Sequence, residues 1–145
     1  MNTTTESHRP LVNIERVFAA SPEEVFDAWL DLDLLRDWFC GGKAHVRLVE
    51  VDPQVGGAYR IVMSDGEREW DHSGTYLELD RPRRLVFTWH TPSTNFKETL
   101  VTVTLEGDGD GTRLRLRHES LPADMVEAHH KGWAELLEKL AMTLA

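Results

Sequence analysis

Cysteine and basic residues are scarce in this sequence of 145 residues. The single cysteine, Cys40, cannot form an internal disulfide or supply a cysteine-rich zinc site, so packing alone must hold the fold together. Sixteen Lys and Arg against 25 Asp and Glu give a formal net charge of -9. A chain of this charge repels phosphate backbones and anionic lipid head groups, so we expect neither a nucleic acid nor a membrane surface as its partner.

Long apolar runs are also missing, and the first ten residues lack the basic and apolar regions of a signal peptide. We therefore expect a cytoplasmic protein without membrane insertion. The composition of 41% hydrophobic and 28% charged residues is typical of globular proteins. Together with the length, it predicts a disordered polar tail over residues 1–10 and a single domain over residues 11–145.

Motifs for covalent, nucleotide-dependent or metal chemistry are absent from the sequence. No nucleophile elbow, phosphate loop or dinucleotide fingerprint occurs. Seven histidines are present, but none lies in an HExxH motif. On a helix His129 and His130 project about 100° apart, which makes a shared ion difficult. We therefore predict no metal, no cofactor and no catalytic residue.

The hydrophobic period changes along the chain. Residues 11–19 alternate as a strand does. Ser21 to Glu24 carry the residues of a capping box, with Pro22 suited to the first helical position. This start predicts a helix to about Leu30, and a second short helix is predicted over residues 34–39, ended by Gly41 and Gly42.

From Ala44 onward the period is two, and turn residues separate the segments. Six further strands are predicted near residues 45–51, 58–63, 70–79, 85–90, 97–106 and 112–119. The short turns imply an antiparallel meander. After Pro122 the period returns to 3.6, which predicts a long terminal helix with Trp133 and Leu137 on its apolar stripe. The plan is α+β, with the helices on one face of a curved seven-stranded sheet.

Alternation within the strands indicates which side chains face the interior. In the last strand Leu114, Leu116 and His118 share one face, while the other face carries arginines and must be solvated. By the same parity residues 85, 87, 89, 101, 103 and 105 form an apolar inner wall. Alternation does not decide which face of residues 70–79 points inward, because Trp70 and His72 share a face with the charged Glu78. A bulge at Gly74 would reverse the facing part of the way along this strand.

His118 and His129 are predicted to point at the same space between sheet and terminal helix. One interpretation is a hydrogen-bonded core histidine and an exposed helix histidine. The other is that they orient a ligand or act as acid and base, because an imidazole with a pKa of about 6.5 is suited to both tasks.

Several motifs follow one another in a characteristic order: SPEEVFDAW from Ser21, Trp38-Phe39, Gly56-Gly57, GTYLE from Gly74, LVFTW from Leu85, and His129-x-x-Gly132-Trp133. This order resembles the SRPBCC (START/Bet v 1-like) superfamily. More narrowly, the chain from about Leu11 to its end resembles the branch homologous to the C-terminal domain of the activator of the ninety-kilodalton heat-shock protein ATPase. The resemblance implies a helix-grip fold, in which a seven-stranded antiparallel sheet bends around the long C-terminal helix with a hydrophobic tunnel between them.

Members of this superfamily include lipid carriers, hormone receptors, polyketide cyclases and chaperone activators, so the fold alone does not select a function. We expect a non-enzymatic or weakly catalytic protein that binds a small hydrophobic or amphipathic molecule in an internal cavity. Apolar side chains would supply the burial and two histidines the orientation. The predicted ligand-binding residues are Trp38, Phe39, Tyr59, Ile61, Phe87, Trp89, Val101, Val103, His118, Met125, His129 and Trp133.

Two alternatives come from other functional classes. The first is a cyclase, dehydratase or hydrolase that uses His118 or His129 as general base. The second is a stress-related chaperone accessory that uses an outer acidic surface. Besides the small ligand, a chaperone or a second copy of this chain is therefore considered as a partner.

Overall fold

The computed structural model describes residues 11–40, 44–94 and 97–145. The strands are β1 Leu11–Phe18, β2 His45–Val51, β3 Ala58–Ser64, β4 Glu69–Asp80, β5 Arg84–Trp89, β6 Thr99–Asp108 and β7 Gly111–Glu119. The α-helices are α1 Pro22–Ala28, α2 Leu32–Trp38 and α3 Val126–Thr143, and single 3-10 turns lie at Pro92–Thr94 and Ala123–Met125. This confirms the predicted α+β plan. The predicted tail and the turn at Gly41 and Gly42 lie outside the described residues, and the domain bounds stay a prediction.

All seven strands form one antiparallel sheet in the order β1-β7-β6-β5-β4-β3-β2. The two strands at its edges are therefore the first two of the chain, and α1 and α2 connect one edge to the other. The long helix α3 contacts β1 and α2. No helix of the described residues is both long and apolar enough to cross a membrane.

Capping side chains explain where the two short helices begin. At α1, Ser21 Oγ accepts from the Glu24 backbone N–H at 3.2 Å, and Glu24 Oε1 accepts from the Ser21 N–H at 3.1 Å. The predicted capping box is confirmed. The prediction for α2 was two residues late, because Asp31 Oδ1 accepts from the Leu34 N–H at 3.1 Å and so caps a helix that begins at Leu32.

The predicted facing of β7 is confirmed. Leu114 and Leu116 are fully buried, whereas Arg115 and Arg117 are exposed and Arg113 is half-buried. The alternate residues of β5 and β6 that were predicted to face inward are buried as well.

The predicted bulge in β4 lies at Leu77 instead of Gly74. Tyr76 pairs with Phe87 but Glu78 pairs with Val86, so one extra residue reverses the parity there. As a result Glu78 leaves the face on which His72 and Tyr76 point inward.

Gly74 serves a different purpose from the one expected. A Cβ atom at Gly74 would overlap the Thr88 carbonyl oxygen and lie 2.7 Å from the ring of Tyr59. The missing side chain lets the Tyr59 ring lie against the strand, where Tyr59 Oη donates to the Thr88 carbonyl at 2.6 Å.

Aromatic rings fill the centre of the interior between the sheet and α3. The ring centroids of Trp29 and Trp38 are 4.8 Å apart, those of Trp89 and Trp133 are 4.9 Å apart, and Trp29 and Trp133 are 6.0 Å apart. Phe39 lies 5.9 Å from Trp89. Two spaces that differ greatly in size lie beside this aromatic cluster in the described part of the chain.

Candidate functional site

The larger space is a recess of about 240 Å³ between strands β3 to β5 and the first half of α3. It is lined by Met63, Trp70, His72, Trp89, Thr91, Ala128, His129, Gly132, Trp133, Glu135 and Leu136. Three indole rings therefore surround it, and two imidazoles lie among them. We call this space the recess below.

His72 lies on β4 opposite Ile61 of β3. Its Nδ1 is 3.2 Å from the Ile61 carbonyl oxygen. Because a carbonyl oxygen only accepts, Nδ1 carries the proton and Nε2 of the neutral ring is an acceptor. Burial lowers the pKa of His72 to about 4, so the ring is neutral at physiological pH.

His129 is held in the same tautomer by the start of α3. Its Nδ1 donates to the Met125 carbonyl oxygen at 2.9 Å, which leaves Nε2 as an unprotonated acceptor. Burial also lowers the pKa of His129, although the hydrogen bond to Met125 acts in the opposite direction. The recess therefore has two neutral imidazoles in its wall.

His118 has both ring nitrogens engaged within the protein. The Trp133 indole N–H donates to His118 Nδ1 at 3.0 Å, and His118 Nε2 lies 2.7 Å from Thr99 Oγ1. Thr99 uses its own proton on the Trp89 carbonyl oxygen at 2.6 Å, so His118 Nε2 must be the donor to Thr99. Burial lowers the pKa of His118 to about 3. Neither nitrogen of His118 is left for a ligand.

Charged side chains are few around the recess. Among the described residues that line it, none is Lys or Arg, and Glu135 is exposed at its rim. The indole nitrogen of Trp89 is buried without a hydrogen-bond partner in the structure, which leaves one donor in the wall unused. Within the described part of the chain, no three His, Cys, Asp or Glu side chains come close enough to hold a metal ion.

The smaller space is a void of about 20 Å³. Its lining residues are Trp29, Leu35, Phe39, Tyr59, Ile61, Tyr76, Leu85, Phe87 and Trp89. A volume of this size is enough for about one water molecule. It is a gap in the aromatic core and too small for an organic ligand.

The predicted ligand-binding residues are thus divided among three environments. Trp89, His129 and Trp133 line the recess. Phe39, Tyr59, Ile61, Phe87 and Trp89 line the small void. The remaining residues, Trp38, Val101, Val103, His118 and Met125, line neither space, and all of them except the half-buried Met125 are fully buried.

Most of the recess was missed from the sequence. Met63 continues the inner face that Ile61 begins, so strand parity was a sufficient signal for it. His72 and Trp70 were ambiguous because the bulge at Leu77 reverses the parity of β4 only further along the strand. The α3 residues Ala128, Gly132 and Glu135 are small or charged and give no hydrophobic signal, whereas Leu136 is apolar and follows Trp133 by three residues, so helical periodicity was a sufficient signal for it.

Comparisons with known proteins agree on the family and the fold. A model of the family "Activator of Hsp90 ATPase homolog 1-like protein" matches residues 19–145. Protein CV1439 from Chromobacterium violaceum is 27% identical with a TM-score of 0.86, covering 93% of this chain and 96% of that one.

Two further solved structures are similar. The AHSA1 protein of Silicibacter pomeroyi is 30% identical with a TM-score of 0.81, covering 92% of this chain and 96% of its own. CalU16 from Micromonospora echinospora is 26% identical with a TM-score of 0.73, covering 93% and 76%. No curated protein matches the sequence significantly.

Proposed function

This chain belongs to the Activator of Hsp90 ATPase homolog 1-like protein family, and we propose that it is a binding protein for a small hydrophobic or amphipathic molecule. The ligand occupies the recess between β3, β4, β5 and α3. We further propose that residues 11–145 act as one domain in the cytoplasm.

The observation that carries this proposal is the chemistry of the recess wall. Trp70, Trp89 and Trp133 offer large apolar faces, while His72 and His129 each add one polar atom in a defined tautomer. Mostly apolar walls with a few fixed polar groups are typical of small-molecule sites. Burial of apolar area contributes about 25 cal/mol per Å², so affinity in the micromolar range, about -8 kcal/mol, is within reach of a small aromatic molecule.

Helix α3 offers a position at which a larger side chain should fill the recess without destabilising the core. Gly132 lines the recess, and a Cβ atom there would meet nothing within 4 Å. Gly132→Leu therefore adds a side chain at the recess while the helix gains a better helix former. Ala134→Leu is the matched control, because Ala134 is an exposed residue of α3 that does not line the recess.

Equilibrium dialysis with naphthalene tests the proposal. We expect binding in the micromolar range to the original protein and to Ala134→Leu, and affinity at least about tenfold weaker for Gly132→Leu, whose melting temperature should not fall. Naphthalene that fails to bind the original protein, or that binds both leucine variants equally, would overturn the recess as the ligand site.

A second candidate function is acid-base catalysis on the bound molecule. It is favoured by His129, a neutral imidazole whose Nε2 is free to accept a proton beside the recess. His118, the other base considered from the sequence, has both nitrogens occupied. The test is turnover of a recess ligand by the original protein and its loss in His129→Gln with affinity retained.

The family's description refers to activation of the Hsp90 ATPase, so stimulation of a chaperone ATPase is the remaining hypothesis for a protein partner. Its test is an Hsp90 ATPase assay with and without this protein. Stimulation that persists in Gly132→Leu would assign it to a surface separate from the recess.

A further inference from the structure

We infer that the recess selects a planar aromatic molecule that carries an O–H or N–H donor and no negative charge. This inference rests on the proposed function, because it names the class of molecule that the same recess takes. Three properties of the recess support this inference. Its imidazoles accept hydrogen bonds, its surroundings carry no positive charge among the described lining residues, and its shape suits flat rings.

The imidazoles offer acceptors to a ligand. His72 and His129 each commit the Nδ1 proton to a backbone carbonyl oxygen, of Ile61 and Met125 respectively. A neutral imidazole has one proton, so Nε2 of each ring can only accept. A ligand that satisfies these atoms must itself donate, and a phenol does so while its oxygen keeps a lone pair for a donor such as the unused Trp89 indole N–H.

The charges around the recess disfavour an anion. No Lys or Arg is found among the described residues that line it, and its one charged residue is the carboxylate of Glu135. The chain as a whole has a formal charge of -9. A carboxylate ligand would lose its hydration on entry and meet no cation in the described wall, and such an unpaired buried charge is strongly unfavourable.

The shape favours flat rings over long chains. Three indole groups, those of Trp70, Trp89 and Trp133, form much of the wall, and flat ligands pack well against such faces. The volume of about 240 Å³ exceeds the roughly 150 Å³ of an apolar cavity that holds benzene. It is below the range of about 300–1,000 Å³ that is usual for drug-sized ligands. One or two fused rings therefore fit better than a fatty acyl chain.

The experiment compares three probes with the same ring system by calorimetry at neutral pH: 2-naphthol, naphthalene and 2-naphthoate. Naphthol is a neutral donor, naphthalene lacks the donor, and naphthoate is an anion. We expect 2-naphthol to bind about fivefold more tightly than naphthalene, as for one net hydrogen bond, and more than about tenfold more tightly than 2-naphthoate.

Variants assign the preference to the imidazoles. A double variant, His72→Phe with His129→Phe, keeps two planar rings and removes both acceptors, so the advantage of 2-naphthol over naphthalene should disappear while naphthalene itself still binds. His130→Phe is the matched control, because His130 is the next residue of α3 but is exposed and does not line the recess. It should keep the full preference. A ratio between two probes is insensitive to a general loss of stability, and thermal melting confirms that both variants are folded.

The outcomes separate this inference from the proposed function. If all three probes bind equally, if 2-naphthoate binds most tightly, or if the double variant that lacks both imidazoles keeps the preference for 2-naphthol, then the inference is wrong while binding in the recess stands. If none of the probes binds, both the inference and the proposed function fall.

Discussion

Trp133 donates its indole N–H to Nδ1 of His118 across 3.0 Å, and this hydrogen bond joins the C-terminal helix to β7. From His118 the chain of donors continues through Thr99 of β6 to the Trp89 carbonyl of β5. Each group in it donates once to the next, so the chain has a single direction. It holds the indole of Trp133 and the backbone carbonyl of Trp89, and both residues line the recess.

The first prediction concerns the energy of this chain. His118→Phe leaves the Trp133 N–H without its acceptor and Thr99 without its donor, so the free energy of unfolding should fall by about 2–4 kcal/mol. Because the two residues share one hydrogen bond, His118→Phe combined with Trp133→Phe should deviate from additivity by about 1 kcal/mol or more. Urea unfolding of the four proteins measures this. Additive effects would mean that the hydrogen bond contributes nothing of its own.

The second prediction concerns pH. In the folded protein the pKa of His118 is lowered to about 3 and that of His72 to about 4, whereas in the unfolded chain each is near its ordinary value of 6.5. Below that value the unfolded chain binds protons that the native state excludes. Stability should therefore be complete above about pH 6.5 and fall as the pH drops, by about 2 kcal/mol for each of these two histidines on reaching pH 5.

Carboxylates should contribute to the loss of stability only at the acidic end of this pH dependence. The pKa values of Asp27 and Asp71 are lowered by their arginine partners from an ordinary 3.8, so they destabilise the fold only at more acidic pH. We measure the free energy of unfolding in urea at several pH values between about pH 7 and pH 5. For His118→Gln this free energy should depend less steeply on pH than for the original protein, by nearly one bound proton. Val103→Ala, a core substitution without a titratable group, should lower stability equally at every pH. Parallel curves for the original protein and His118→Gln would contradict the buried neutral state of His118.

The third prediction concerns two strand glycines. Gly74→Ala places a methyl group against the Thr88 carbonyl and the Tyr59 ring, so it should cost about 3 kcal/mol or more, or prevent folding. Gly107→Ala is the control, because a Cβ atom there meets nothing within 4 Å. Its unfolding free energy should change by less than about 1 kcal/mol. If the two substitutions lower the melting temperature equally, then the backbone of Gly74 does not lie as close to Thr88 and Tyr59 as the structure places it.

The fourth prediction concerns the helix beside the recess. Gly132→Ala should raise the free energy of unfolding by about 0.5–1 kcal/mol, because glycine is unfavourable within a helix and the added methyl group is unobstructed. The reverse substitution at the nearby exposed position, Ala134→Gly, should lower it by a similar amount. Chemical denaturation of both variants provides the measurement. A destabilising Gly132→Ala would mean that the space beside Gly132 is already filled.

The local elements of this fold were predictable because each depends on neighbours in the sequence. The capping box at Ser21 begins α1, and the alternation in β7 separates the buried Leu114 from the exposed Arg115. These features follow helical or strand periodicity and one capping side chain, so they can be predicted without knowing the tertiary contacts. The start of α2 was missed by two residues, because an aspartate can interrupt a helix or cap it and only the backbone conformation distinguishes the two.

The site was predicted only in part because its composition depends on distant pairings. Trp133 was found from the apolar stripe of the terminal helix, and His129 was predicted to point at the space between sheet and helix. His72 could be recognised as a wall residue only once a one-residue bulge at Leu77 was seen to take Glu78 off its face, and both ring nitrogens of His118 are occupied by Thr99 and Trp133. Sequence alone determined that an aromatic, histidine-containing interior would form between sheet and helix. Tertiary packing decided which side chains face open space, because rings of similar chemistry compete for one interior and the space they leave depends on how all of them fit together.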